Sequence, residues 1–68
     1  MKDNFIKEFG ELVAKYNISN VESMKYENNS LDEYVIVTYK NGYQKKIYVT
    51  LDSLKAMIID IIKQGGLD

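Results

Sequence analysis

The stretch Glu33-Tyr-Val-Ile-Val-Thr-Tyr-Lys-Asn-Gly-Tyr-Gln-Lys-Lys-Ile-Tyr-Val-Thr50 decides how this chain folds. β-Branched and aromatic side chains fill both arms, and such residues fit a pleated, half-buried surface. Asn41-Gly42 between two arms of this kind is the strongest short-range hairpin signal, because both turn residues can take positive φ. A two-residue turn predicts the register. Lys40 faces Tyr43, Ile36 faces Ile47 and Val35 faces Tyr48. Side chains alternate along a strand, so Tyr34, Ile36, Ile47 and Val49 share one face, and Val35, Val37, Tyr39 and Tyr48 share the other. The Ile36/Ile47 face is expected to be the core, joined by Met24 and Tyr26. The opposite face is then left open, and a contiguous apolar and aromatic patch of that kind marks an interaction site. The alternative is a sheet buried twice, with one helix on each face.

Working outward, Val21 to Glu27 reads as a further strand, and Asn28-Asn29-Ser30 supplies turn chemistry after it. The simplest topology is a meander with Tyr34–Lys40 in the centre. Residues 4–16 repeat apolar groups at helical spacing (Phe5, Ile6, Phe9, Leu12, Val13, Tyr16) on one stripe. Asp3 or Asn4 can cap this helix, and Asn17 can end it in a left-handed conformation. Glu11 and Lys15 form a favourable pair one turn apart on its wet side. Gly10, at the margin of the stripe, reads as a tolerated glycine costing up to about 1 kcal/mol against alanine; close approach of another element is the alternative. A last helix is expected over Leu51 to Gln64, capped by Thr50, with Asp52 in its first turn and Gly65-Gly66 at its end. Its apolar residues cover roughly 200° of the helical wheel, about twice the stripe of an ordinary surface helix. Met57 and Ile59, at the two margins, are core or dimer contacts. The expectation is a single α+β domain over residues 1–68: α-β-β-β-α, a three-stranded antiparallel meander with a helix at each end packed on the sheet.

Composition narrows the chemistry. Sixty-eight residues bury only about 60% of the surface that the unfolded chain exposes. Chains this small usually draw on a disulfide, a metal or a partner subunit. Cysteine and histidine are absent, which removes disulfides, thiolate metal sites, the commonest metal ligand and the usual general base. No cofactor or metal is expected. Self-association or partner binding is left as the source of added stability. Net charge is −1 with no arginine, unlike the basic surface of a dedicated nucleic-acid binder. No run approaches the length of about 18 apolar residues that suggests a membrane span. Met1-Lys2-Asp3-Asn4-Phe5 carries charge where a signal peptide is apolar, so a cytoplasmic protein is expected.

Catalytic groups are sparse. Asp32 and Glu33 are adjacent carboxylates that point apart on a strand. Ser53 has no histidine to activate it, and no spaced acidic series of EF-hand type is present. No enzymatic activity is expected. One local pattern suggests nucleic acid: Lys40, Tyr43, Lys45 and Lys46 interleave bases and an aromatic around the hairpin tip, where lysines could take phosphates and tyrosine could stack a base. The bland reading is a solvated hairpin whose lysines discourage edge pairing.

Two resemblances bear on function. The element order is similar to that of the double-stranded-RNA-binding domain, which carries a Gly-Pro-x-His segment near its first two strands and a Lys-Lys-x-Ala-Lys cluster opening its last helix. Here Asn28-Asn29-Ser30 and Asp52-Ser53-Leu54-Lys55 stand in those places, so the RNA contacts do not carry over. Richness in Lys, Asn, Ile and Tyr without Cys, on this element order, resembles the small accessory proteins of phages and mobile elements in low-GC bacteria, anti-CRISPR inhibitors among them. That resemblance implies a small binder or inhibitor of a host protein. The expected function is a non-catalytic protein-interaction module, self-associating as a homodimer. Its partner-binding residues are Val35, Val37, Tyr39 and Tyr48 on the sheet, with Met57 and Ile59 on the last helix.

Overall fold

The structure is a computed structural model that describes residues 1–67. In order along the chain lie helix α1 (Lys2–Lys15), strands β1 (Val21–Asn28), β2 (Glu33–Tyr39) and β3 (Gln44–Tyr48), and helix α2 (Leu54–Gln64). The strands form one antiparallel sheet in the order β1-β2-β3. The α-β-β-β-α, α+β architecture expected from the sequence is therefore present.

The hairpin register differs by one residue from the expected one. Tyr34 pairs with Tyr48, Val35 with Ile47, Ile36 with Lys46 and Val37 with Lys45. The loop has three residues, Lys40-Asn41-Gly42, closed by Tyr39 N–H to the Tyr43 carbonyl at 2.8 Å and Gly42 N–H to the Tyr39 carbonyl at 2.9 Å. Only Gly42 takes positive φ, at 89°, and the Asn41 side chain accepts from the Tyr43 amide at 2.9 Å. This is the turn-plus-bulge loop that ranks next to the two-residue turn in hairpins. Hydrophobic patterning decides between them. The observed register puts Val35, Val37, Ile47 and Val49 on one face, all fully or almost fully buried. The two-residue register would have divided these four between the two faces, and a one-residue slip moves every β3 side chain across the sheet.

The core face is thus the reverse of the expected one on β2. Val35 and Val37, expected on an open surface, are core residues, and Ile36, expected in the core, faces outward beside Lys25 and Lys46. β1 follows suit through a bulge between Val21 and Ser23. The extra residue lets Val21 and Met24, three apart, both point inward. Ile6 and Val13 of α1 and Met57 and Ile61 of α2 complete one continuous core, so both helices lie on the same side and the sheet is not buried twice.

α1 sits close on β1 because of Gly10. A Cβ there would lie 2.7 Å from the Met24 backbone nitrogen and 2.8 Å from the Met24 Cβ. Close approach, and not mere tolerance, explains this glycine. The helix ends as read, with Asn17 left-handed (φ 55°). The Asn17 amide donates to the Ala14 carbonyl and the Ile18 amide to the Val13 carbonyl, the Schellman pattern. α2 starts later than expected. Ser53 is its cap, its Oγ accepting from the Ala56 amide at 3.2 Å. Thr50 instead accepts from the Glu33 amide at 3.0 Å, while Leu51 bends the chain at φ 66°. The helices run parallel. Lys2 at the start of α1 donates to the Asp52 carbonyl, and Ser19 beyond its end donates to the Gly66 carbonyl.

Candidate partner interface

Three surfaces carry the residues that could meet a partner. The first is the groove between the two helices. Gly10 draws α1 onto the sheet along its Ile6/Gly10/Val13 line. Phe5 and Phe9, beside that line, pack against the margin of the core, and with Leu12, Glu8 and Ile58 they line an open groove of about 350 Å³. Phe5 and Phe9 are half-buried, while Leu12 is 54% exposed. Ile58 lies across the groove; on the same helix Ile62 is half-buried and Ile59 is 41% exposed. The wide apolar arc of α2 ends up split. Met57 and Ile61 enter the core, Ile58 lines the groove and Ile59 is exposed.

The second surface is the open face of the sheet. Its rows are Ser23, Thr38 and Gln44; Lys25, Ile36 and Lys46; and Glu27, Tyr34 and Tyr48. Tyr34 and Tyr48 approach with ring centroids 5.9 Å apart, and the Lys46 ammonium lies 4.4 Å from the Tyr34 centroid. Lys25 pairs with Glu27 at 3.0 Å, and Gln44 donates to Thr38 Oγ1 at 3.1 Å. The apolar strip on this face is narrow, and its neighbours satisfy one another.

The third is a polar cluster where the two helices begin. Glu33 Oε1 accepts from Lys2 Nζ at 2.7 Å and from the Tyr26 hydroxyl at 2.6 Å. The Lys2 ammonium and then the Tyr26 hydroxyl hold the Glu33 carboxyl down to about 2. Burial, helped by Glu33, pushes the Tyr26 hydroxyl up to about 12. Asp52 moves the other way. The neighbouring Asp60 carboxyl, and then burial, raise its pKa, and its buried Oδ2 accepts from no donor among the described residues. This cluster fastens the N-terminus of α1 to β2 and to the loop before α2. Among the described residues no group of three or more His, Cys, Asp or Glu side chains could hold a metal ion.

The residues singled out from the sequence are dispersed by the fold. Val35, Val37 and Met57 are wholly buried, the first two because of the register and Met57 because it lies on the sheet side of α2. Tyr39 is half-buried, its hydroxyl donating to the Gly65 carbonyl at 2.6 Å, and burial raises its pKa. Tyr48 (57% exposed) and Ile59 do reach the surface, but on opposite sides of the molecule. The hairpin set is divided too. Lys40 donates to Asn17 Oδ1. Tyr43 lies against Tyr39 at 5.8 Å. Lys45 and Lys46 point to opposite faces of β3, as neighbours on a strand must. Sequence reasoning passed over Phe5, Phe9, Leu12 and Ile58 because they belonged to apolar stripes read as core. The detectable signal was Gly10. A glycine at the stripe's margin marks where the helix touches the sheet, so the rest of the stripe faces elsewhere.

No helix among the described residues is long and apolar enough to cross a membrane. Neither a protein-family model, nor a characterised protein, nor a solved structure matches this chain.

Proposed function

We propose that this protein is a non-catalytic protein-interaction module that docks its partner in the groove between α1 and α2. One observation carries the reading: Phe5, Phe9 and Leu12 meet Ile58 across a groove whose only charged lining residue among those described is Glu8. A monomer of this size gains nothing from leaving Leu12 of this groove 54% exposed to water. An apolar groove with a charged rim is the surface into which an amphipathic helix lays its apolar face. The sheet face, with its internally satisfied Lys, Glu, Thr and Gln side chains, fits a solvated surface better.

Titration of isotope-labelled protein with a synthetic amphipathic helix tests this. Amide shifts are expected to cluster at residues 5–12 and 58–62. Shifts centred on Tyr34, Ile36 and Tyr48 would move the docking surface to the sheet, and no shifts at saturating peptide would remove the reading.

A further inference from the structure

Resting on the groove as the docking surface, we propose that its occupant is a second copy of this chain, each copy laying α1 along α2 of the other in a four-helix layer between two sheets. The parallel course of the helices is the first reason. Lys2 reaches Asp52 at one end and Ser19 reaches Gly66 at the other. A half-turn about an axis parallel to the helices therefore sets α1 of one copy against α2 of its partner at equal height. Such an interface is self-complementary, as a two-fold contact must be.

The second reason is charge. Glu8 stands on the α1 rim of the groove at the height of Ile58. Lys55 is exposed on α2, one turn before Ile59. Neither forms an ion pair among the described residues. In the proposed arrangement Glu8 comes within a turn of the partner's Lys55, and the symmetry repeats the pair. The third reason is shape. Leu12 and Ile59 stand exposed on the two helices, and the groove opens between Leu12 and Ile58, so each copy offers ridges and a recess. Parallel helices packed at about 20° interdigitate in this way. A net charge of −1 leaves little repulsion between two copies.

Sedimentation equilibrium combined with a charge-swap mixing experiment tests the proposal. Wild type should rise with concentration from 7.9 kDa toward twice that mass. Leu12→Glu should remain monomeric with an unchanged circular dichroism spectrum. Glu8→Lys and Lys55→Glu, each alone, should weaken dimerisation roughly threefold to tenfold, the range of two rim-exposed ion pairs. Mixed in equal amounts they should form a heterodimer tighter than either homodimer, since every facing pair is then opposite in sign. A 7.9 kDa species at all concentrations, or a dimer undisturbed by Leu12→Glu, would overturn the second copy as occupant. A mixture no tighter than its components would overturn the arrangement of α1 on α2. A monomer that still seats the amphipathic-helix probe between residues 5–12 and 58–62 loses only the second copy. A monomer that does not seat it loses the groove reading as well.

Discussion

At Gly10 the backbone of α1 lies so close to β1 that an added Cβ would meet the Met24 amide nitrogen at 2.7 Å. On an exposed helix, glycine to alanine stabilises by up to about 1 kcal/mol. Here the sign reverses, because backbone cannot swing aside as a side-chain tip can. Gly10→Ala is expected to destabilise by about 1–3 kcal/mol, as overpacked sites do, measured by urea unfolding. Leu51 shows the opposite case. Its φ of 66° is a conformation that costs an L side chain roughly 1–2 kcal/mol and that asparagine visits readily. The leucine is 91% exposed and gains no burial in return. Leu51→Asn should raise the midpoint of urea unfolding by about 0.5–1 kcal/mol in equivalent stability. Glu33 makes stability depend on pH. Its folded pKa is depressed from 4.5 to about 2, so its contribution is complete above the unfolded value and is lost as pH falls through the folded one. Asp52, with a raised pKa, acts with the opposite sign and favours the fold as pH falls. Acid unfolding of Glu33→Gln should therefore be flatter than wild type between about pH 4.5 and 2, and Asp60→Asn should stabilise the protein at neutral pH by relieving Asp52.

Among the elements, the β2–β3 hairpin settles which side chains the molecule keeps for itself. Val37 is fully buried opposite Lys45 at the hairpin end of the sheet, and Tyr48 lies on the outer face. Val37→Lys should abolish cooperative unfolding by circular dichroism, because it buries an unpaired charge. Tyr48→Lys should keep cooperative unfolding and cost no more than about 1.5 kcal/mol, the worth of its ring pair with Tyr34. The existence and order of all five elements were legible in the sequence, because apolar periodicity and turn residues mark them locally. The register was not. Asn41-Gly42 serves a two-residue loop, where both residues are left-handed, and a three-residue loop, where only Gly42 is. Either loop leaves apolar side chains on both faces of β2. What decides is the gathering of Val35, Val37, Ile47 and Val49 under two helices that lie on one side, and no short window of sequence contains that fact. The start of α2 was misplaced for a similar reason. Thr50 has a capping side chain, but the Glu33 amide across the sheet claims it.

For the whole molecule, apolar side chains reach the surface on both sides, Tyr48 on the sheet and Leu12 and Ile59 on the helices. Once the register fills the inner face with four aliphatic side chains, the outer face keeps only Tyr34, Ile36 and Tyr48 among polar neighbours. Meanwhile Phe5, Phe9 and Leu12 border a groove completed by Ile58 of α2. None of the residues first singled out lines this groove. Its α1 wall was illegible because a helical stripe reveals which side of a helix is apolar, but not how far the helix is rolled on its sheet. In the proposed dimer, two copies of the chain meet through that groove. The most direct measurement is a dilution series of the isotope-labelled wild-type protein, following every amide by NMR from dilute to concentrated solution. Concentration-dependent shifts confined to residues 5–12 and 55–62 are predicted. Shifts at Tyr34, Ile36 and Tyr48 in their place, or spectra that do not change with concentration, would contradict it.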